Sequence, residues 1–357
     1  MRAPGDRVQK RSLTASAAAC GGGGPQTRGA GKVIVVCLDD MSGVLLAGPA
    51  VRAVAARAAH VTMLCAPRGA SAAALLPHVD EVLVWEAPWS SARPPTVQEA
   101  DVEGLVGRMR DAAYDAALVV APAEQSPLPL ALLLRMAHVP RIGAPLTEPP
   151  GSLVDVPHRR VPGRHDVEAA LDTAAALGFP PGAGDDGRLR VLPAPDTTAL
   201  TGNGPYVVLH PGAAAHARAW DAGRAAEAVV LLADAGHRVV VTGGPRETAL
   251  TRKVSGDTAV DLGGRTDLRT LSGVLRAADV VVAGDPGPAH LAAACATPVV
   301  SVGSPGGSAE RRSPYGVPAV LLGGQEAPVP ATGRSAPDEA LPDDVLRAVQ
   351  KLMKESR

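Results

Sequence analysis

The chain has 357 residues, of which 46% are hydrophobic and 2% aromatic, and its formal net charge is −1. That length holds two domains of ordinary size, with cores built from Ala, Val and Leu. The charge balance leaves no broad basic field for nucleic acid, and no apolar run reaches the ~18 residues of a membrane span.

The first 30 residues carry Arg2, Arg7, Lys10 and Arg11, then an Ala-rich stretch to Cys20 and a glycine run over 21–24. They read as a disordered leader, with a signal peptide as the weaker alternative. The four cysteines, Cys20, Cys37, Cys65 and Cys295, form no CxxC pair, so neither a zinc site nor a redox motif is signalled. The last three sit in apolar runs and read as small buried hydrophobes in a reducing, cytoplasmic compartment.

From Lys32 onward strands and helices alternate. Residues 33–38 form a continuous apolar run, the mark of a strand covered on both faces. A turn over 39–43 and a helix over 44–59, with Pro49 near its start, follow. Strands are expected at 61–66 and 79–85 around a short helix at 71–76. Next come a helix at 102–113, a strand at 116–121, a helix at 128–137 and a short strand at 141–143. A helix over 166–177 closes a first domain spanning 31–177. Residues 178–205 are dense in Pro, Gly and Asp and read as an interdomain linker.

The alternation restarts in a second domain over 206–335. Strands are expected at 206–210, 237–242, 259–261, 280–283 and 299–302. Helices are expected at 222–235, 247–254, 268–277 and 289–296. A C-terminal segment, 336–357, carries a last amphipathic helix at 342–355. Strand–helix alternation with short links predicts α/β domains with parallel sheets, whose ligands sit at the carboxyl ends of strands.

Four signals stand at those strand ends in the second domain. His210-Pro211-Gly212-Ala213-Ala214 is followed by Arg218 and Trp220. Gly212 lets backbone approach a ligand, free N–H groups of the loop can hold an anion, and Arg218 can bind phosphate oxygens in bidentate fashion. An ordinary strand–turn–helix with a surface Arg is the other reading. In Thr242-Gly243-Gly244-Pro245-Arg246-Glu247, Glu247 either accepts hydrogen bonds from a ribose diol or caps the next helix. In the segment 261–268, Thr266 or Asp267 caps a helix, or the loop backbone reads a nucleobase edge. Finally, Asp285, Gly287, Pro288 and His290 crowd a strand-to-helix turn. That density of polar groups exceeds what a turn needs and favours a pocket for sugar hydroxyls and pyrophosphate.

The ordered set HPGA, RAW, GGPRE, LGGRTDL, DPGPAHLAAA and TPVVS, preceded by LDDMSGVLLAGPAVRA at 38–53, resembles glycosyltransferase family 9, the heptosyltransferases. The resemblance covers most of the chain. It implies a GT-B fold, with two Rossmann-like domains facing a central cleft, acceptor domain first and donor domain second. It implies a nucleoside-diphosphate sugar as donor, ADP-heptose in the best-known members, and no metal or other cofactor. Arg218 takes the place of a basic residue facing the diphosphate, and Glu247 that of the ribose-binding acid. Thr266 lies where loop backbone meets the base, Asp285 and Gly287 lie beside sugar and phosphate, and His290 supports that turn.

The chain also departs from the pattern. The family's first loop ends in Gly-Asp, and that Asp is the expected general base; here those positions are Ser42 and Gly43. Asp39 and Asp40 are substitutes to weigh, with Asp40 the candidate base and a solvated loop acid the alternative. On this reading Gly43→Asp would restore the missing carboxylate. Ala214 and Pro286 replace hydroxyl-bearing residues, and Pro286 also removes a backbone donor.

The function this supports is an inverting, metal-independent glycosyltransferase. Its acceptor would be a glycan, glycolipid or small molecule of the envelope or of secondary metabolism, with at most peripheral membrane contact. The alternative is an impaired relative that binds nucleotide sugar or a partner without transfer. A nicotinamide oxidoreductase is disfavoured, because no GxGxxG follows the first strand and no acid ends the second near Ala66.

Overall fold

The computed structural model describes residues 31–90, 94–122, 125–212, 220–302, 311–323 and 340–355. The expected leader at 1–30 lies outside them, as do Ala213, Ala214 and Arg218. The chain divides into two compact units, Met1–Gly187 and Arg188–Arg357. The boundary falls within the stretch that reads as a linker.

The first unit is built on strands β1 (Lys32–Cys37), β2 (His60–Cys65), β3 (Glu81–Val84), β4 (Ala116–Val119), β5 (Ile142–Pro145) and β6 (Val156–His158). They form one sheet in the order β3-β2-β1-β4-β5-β6, and every pairing is parallel. Its helices are α1 (Met41–Ala55), α2 (Ala70–Ala73), α3 (Glu99–Ala112), α4 (Leu128–Met136) and α5 (Asp166–Ala176). The period of two along β1 explains its unbroken apolar sequence. Ile34, Val36 and Leu38 join the core made with Leu105 and Met109 of α3 and Leu130 and Leu134 of α4. Val33, Val35 and Cys37 alternate with them and are equally enclosed on the face that α1 covers.

The second unit repeats the plan. Strands β7 (Val207–His210), β8 (Val239–Val241), β9 (Val260–Asp261), β10 (Val280–Ala283), β11 (Val299–Val302) and β12 (Ala319–Leu322) lie in the order β12-β11-β10-β7-β8-β9. A short helix, α6 (Thr198–Thr201), precedes them. The others are α7 (Ala222–Asp234), α8 (Thr248–Ser255), α9 (Leu268–Arg276), α10 (Pro286–Ala294) and α11 (Pro342–Glu355). Val207, Leu209, Val280 and Val282 pack on Val229 and Leu232 of α7 and on Val345, Val349 and Leu352 of α11. Counted from its own first strand, each sheet runs 3-2-1-4-5-6, the doubly wound order. The chain reverses direction across the sheet between β1 and β4, and again between β7 and β10.

Three helices start earlier than their sequences suggest, α3 among them, at Glu99 rather than 102. α1 begins at Met41, so the expected turn over 39–43 shrinks to Asp39 and Asp40, and Pro49 falls in mid-helix. α10 begins at Pro286 rather than near 289, with Pro at its first position, where no N–H is needed. The expected helix at 71–76 is a 3-10 turn at Pro67–Gly69 running into the one-turn α2. Cys37, Cys65 and Cys295 are buried free thiols, as expected. Burial pushes the Cys65 thiol up to about 12 and that of Cys295 to about 11, so both stay protonated. Among the described residues, no helix is long and apolar enough to cross a membrane.

Candidate nucleotide-sugar site

Because all strands of the second sheet are parallel, the loops after β7, β8, β9 and β10 share its carboxyl edge. His210 ends β7 and is nearly enclosed, at 7% exposure. Its Nδ1 lies 2.9 Å from Oγ1 of the fully buried Thr242, the residue after β8. Glu247 stands at the N-cap of α8 but makes no side-chain capping bond to it. Its side chain instead turns back over the glycines. Oε2 accepts the Gly244 N–H at 2.6 Å and stands 3.9 Å from His210 Nε2. A Cβ on Gly212 would lie 2.9 Å from Glu247 Oε2 and overlap Oε1. The absent side chain at 212 is therefore the space that holds this carboxylate. Burial pushes the His210 imidazole below its ordinary value, against the smaller opposing pull of Glu247. The ring is neutral, and the contact with Glu247 is a polar neighbour rather than an ion pair.

The four signals meet in pairs. His210 and Gly212 meet Thr242, Gly244 and Glu247, as just described. The Gly264 N–H donates to Gly243 O at 2.9 Å, which joins the loops after β8 and β9. Gly264 has φ +69, a left-handed value that suits glycine there. The Gly284 N–H donates to His210 O at 3.1 Å, which joins the ends of β7 and β10. Thr251, on α8, escapes sequence reading. A Cβ on Gly243 would come 2.6 Å from its Cγ2, and one on Gly263 would lie 2.9 Å from its Cβ. Thr251 is buried beneath both glycine loops; a small β-branched residue in a helical run gives no signal of such a role.

One open choice closes. Asp267, not Thr266, caps α9, accepting the Thr270 N–H at 2.7 Å. Hydrogen bonding by the Thr270 side chain, then by its N–H, holds the Asp267 carboxyl below the usual carboxylate range. Thr266 is half-buried beside it. Asp285 occupies the N-cap position of α10 with no side-chain capping bond, and Gly287, Pro288 and His290 are buried within that helix. With proline at 286 and 288, Gly287 supplies the one N–H among the first three helical residues.

In the first unit the loop after β1 is held from two sides. Asp40 is the N-cap of α1. Its Oδ1 accepts the Ser42 N–H at 2.9 Å, the Ser42 hydroxyl at 2.8 Å and the Gly43 N–H at 3.4 Å. Asp39 Oδ1 accepts the Asp40 N–H at 2.8 Å. A Cβ on Gly43 would lie 2.5 Å from Asp39 Cβ and 2.6 Å from its Cγ, with Oδ2 nearer still. Gly69 closes on the loop from the turn after β2: a Cβ there would be 3.1 Å from Asp39 O and 2.6 Å from Val44 Cγ2. Among the described residues, no three His, Cys, Asp or Glu side chains gather closely enough to hold a metal ion.

The profile of glycosyltransferase family 9 (heptosyltransferase) matches residues 103–339. No curated protein matches the chain by sequence. Several solved structures share the fold at low identity. A family 9 glycosyl transferase from Veillonella parvula DSM 2008 is 17% identical, covers 92% of this chain and 98% of its own, and has a TM-score of 0.71. The ADP-heptose LPS heptosyltransferase II of E. coli is 19% identical, with coverage of 91% and 99% and a TM-score of 0.69. The E. coli heptosyltransferase WaaC, with ADP-2-deoxy-2-fluoro heptose, is 20% identical, with coverage of 91% and 100% and a TM-score of 0.66. Two doubly wound parallel sheets in one chain are the GT-B pattern those structures share.

Proposed function

The chain belongs to glycosyltransferase family 9, the heptosyltransferases, and from that premise we propose that it moves a heptose or related sugar from a nucleoside diphosphate to an acceptor hydroxyl, with inversion and without a metal. The acceptor oxygen attacks the anomeric carbon from the face opposite the leaving group. A carbon–oxygen bond forms there as the bond to the β-phosphate oxygen breaks. The electron pair leaves with the nucleoside diphosphate, and a carboxylate takes the acceptor's proton.

The observation that carries this reading is the Glu247 carboxylate turned back over Gly212 and Gly244 beside His210. A helix cap has no need of that arrangement, while a ribose diol at the strand ends does. Thr242 and Gly243 hold the loop beneath it. Gly212, Ala213 and Ala214 are assigned to the diphosphate, and Arg218 is its cation. Thr266 lies beside the base, while Asp285, Gly287 and Pro288 face sugar and phosphate over His290. Charge stabilisation of the leaving group falls to Arg218 and peptide N–H groups. The acceptor is a glycan, glycolipid or small molecule reached from the cytoplasm.

A melting-temperature panel of ADP-heptose and other nucleoside-diphosphate sugars, with and without EDTA, tests the proposal. A donor at 100 times its Kd stabilises by about 2.7 kcal/mol, and EDTA is expected to change nothing. Stabilisation by none of the donors would remove the proposed function; stabilisation abolished by EDTA would remove metal independence.

A further inference from the structure

We propose that Asp39 is the general base of this transferase, its carboxylate filling the space that the missing side chain at position 43 leaves. The inference rests on the proposed transfer reaction. Asp39 lies two residues past the end of β1, at the point where the sheet reverses direction, the place where α/β ligands sit. A Cβ at position 43 would stand 2.6 Å from the Asp39 carboxyl carbon. A carboxyl carbon on residue 43 would itself lie one C–C bond, about 1.5 Å, beyond that Cβ. The two side chains therefore compete for one volume, and glycine at 43 is what lets Asp39 enter it.

The neighbouring acid has other work. Asp40 Oδ1 is committed to Ser42 and Gly43 as the cap of α1. Asp39 Oδ1 accepts the Asp40 N–H, and its Oδ2 lies over Gly43. A base must be fixed within hydrogen-bond reach of the proton it removes. In the reaction the acceptor hydroxyl proton passes to the Asp39 carboxylate as its oxygen bonds the anomeric carbon, and solvent later takes that proton. The earlier expectation for Gly43→Asp reverses, because the added side chain would collide with Asp39 instead of filling a vacancy.

The test uses ADP release from ADP-heptose, with water as the acceptor oxygen, and calorimetric binding of ADP. Asp39→Asn should lower kcat by about 10²–10⁴-fold, with KM and ADP affinity unchanged. Gly43→Asp alone should also lose rate. The exchange variant Asp39→Gly/Gly43→Asp should recover most of it, which a merely structural role for Asp39 would not permit. If the exchange variant does not fold, Asp39→Glu compared with Asp39→Asn decides, the carboxylate being the active one. Wild-type kcat in Asp39→Asn would overturn the assignment while leaving the transfer reading intact. So would an exchange variant that is folded, binds ADP and is as slow as Asp39→Asn. A wild-type protein that neither binds nor cleaves any nucleoside-diphosphate sugar would remove the transfer reading itself, and this assignment with it.

Discussion

His210 is enclosed between Thr242 and the folded-back Glu247, and enclosure sets its charge. Its depressed folded-state value means the unfolded chain takes up a proton below about pH 6.5 that the fold refuses. Stability from this group is therefore full above that pH and is lost as pH falls below it. Urea titrations between pH 7.5 and 5 should show that slope, and His210→Gln should flatten it. Asp40 makes a separate prediction. As a cap, its replacement by Ala should lower stability by about 1 kcal/mol, and by Asn hardly at all; equal losses for the two would contradict the capping role. The sequence offers both Asp39 and Asp40 as loop acids and favours Asp40 as the base, whereas in the structure Asp40 caps α1. The choice depends on which side chain the backbone turn sends over Gly43, which spacing does not record. For Glu247 the sequence leaves a ribose-binding acid and a helix cap both open, because the turn of its side chain over Gly212 and Gly244 is a matter of packing that spacing does not record.

Helices and strands differ in how plainly they are written. The buried strands β1, β7 and β10 are unbroken apolar runs because both faces are covered, so pattern alone locates them. The edge strands β6 and β12 carry no clear pattern: their burial alternates or is partial, and β6 contains Pro157, tolerable at a sheet edge. The starts of α1 and α10 lie earlier than pattern suggests because Met-Ser-Gly and Pro-Gly-Pro read as loop, and only the strand ends behind them fix where the helix begins. Glycines in these elements separate function from packing. In Gly212→Ala the new methyl meets the flexible end of Glu247. Melting should barely change while nucleoside affinity drops. In Gly273→Ala the methyl would lie 2.5 Å from the Pro195 carbonyl oxygen. Backbone cannot step aside cheaply, so a loss of about 1–3 kcal/mol is expected, with ligand affinity preserved in the folded fraction. Calorimetric titration together with thermal melts of the two variants separates these outcomes.

At the scale of the molecule, two sheets of identical order each enclose their own apolar cluster. A ligand held at the strand ends of the second sheet stabilises that unit by mass action. Hydrogen exchange with and without ADP should therefore show slowed exchange in β7, β8 and α8, with β1 and β2 unchanged. Protection confined to the first unit would place the nucleotide on the wrong sheet. Mutations in the second unit should act through different ligands. Glu247→Ala should weaken nucleoside binding even without phosphate, while Arg218→Ala should matter only when a diphosphate is present. Equal effects on adenosine and ADP would undo that division.

On the proposed function a diphosphate at the start of α10 would meet prolines at 286 and 288, which bear on how fast the cycle can end. A helix start normally offers several peptide donors to an anion, and α10 keeps one among its first three residues. A loosely gripped diphosphate is a weak product inhibitor and a fast-departing one. ADP release should then lie off the slow path, and a pre-steady-state trace should show no burst. Replacing Pro286 by Ser returns a peptide donor and a hydroxyl to that turn. It should tighten ADP and lengthen its residence, trading turnover for affinity.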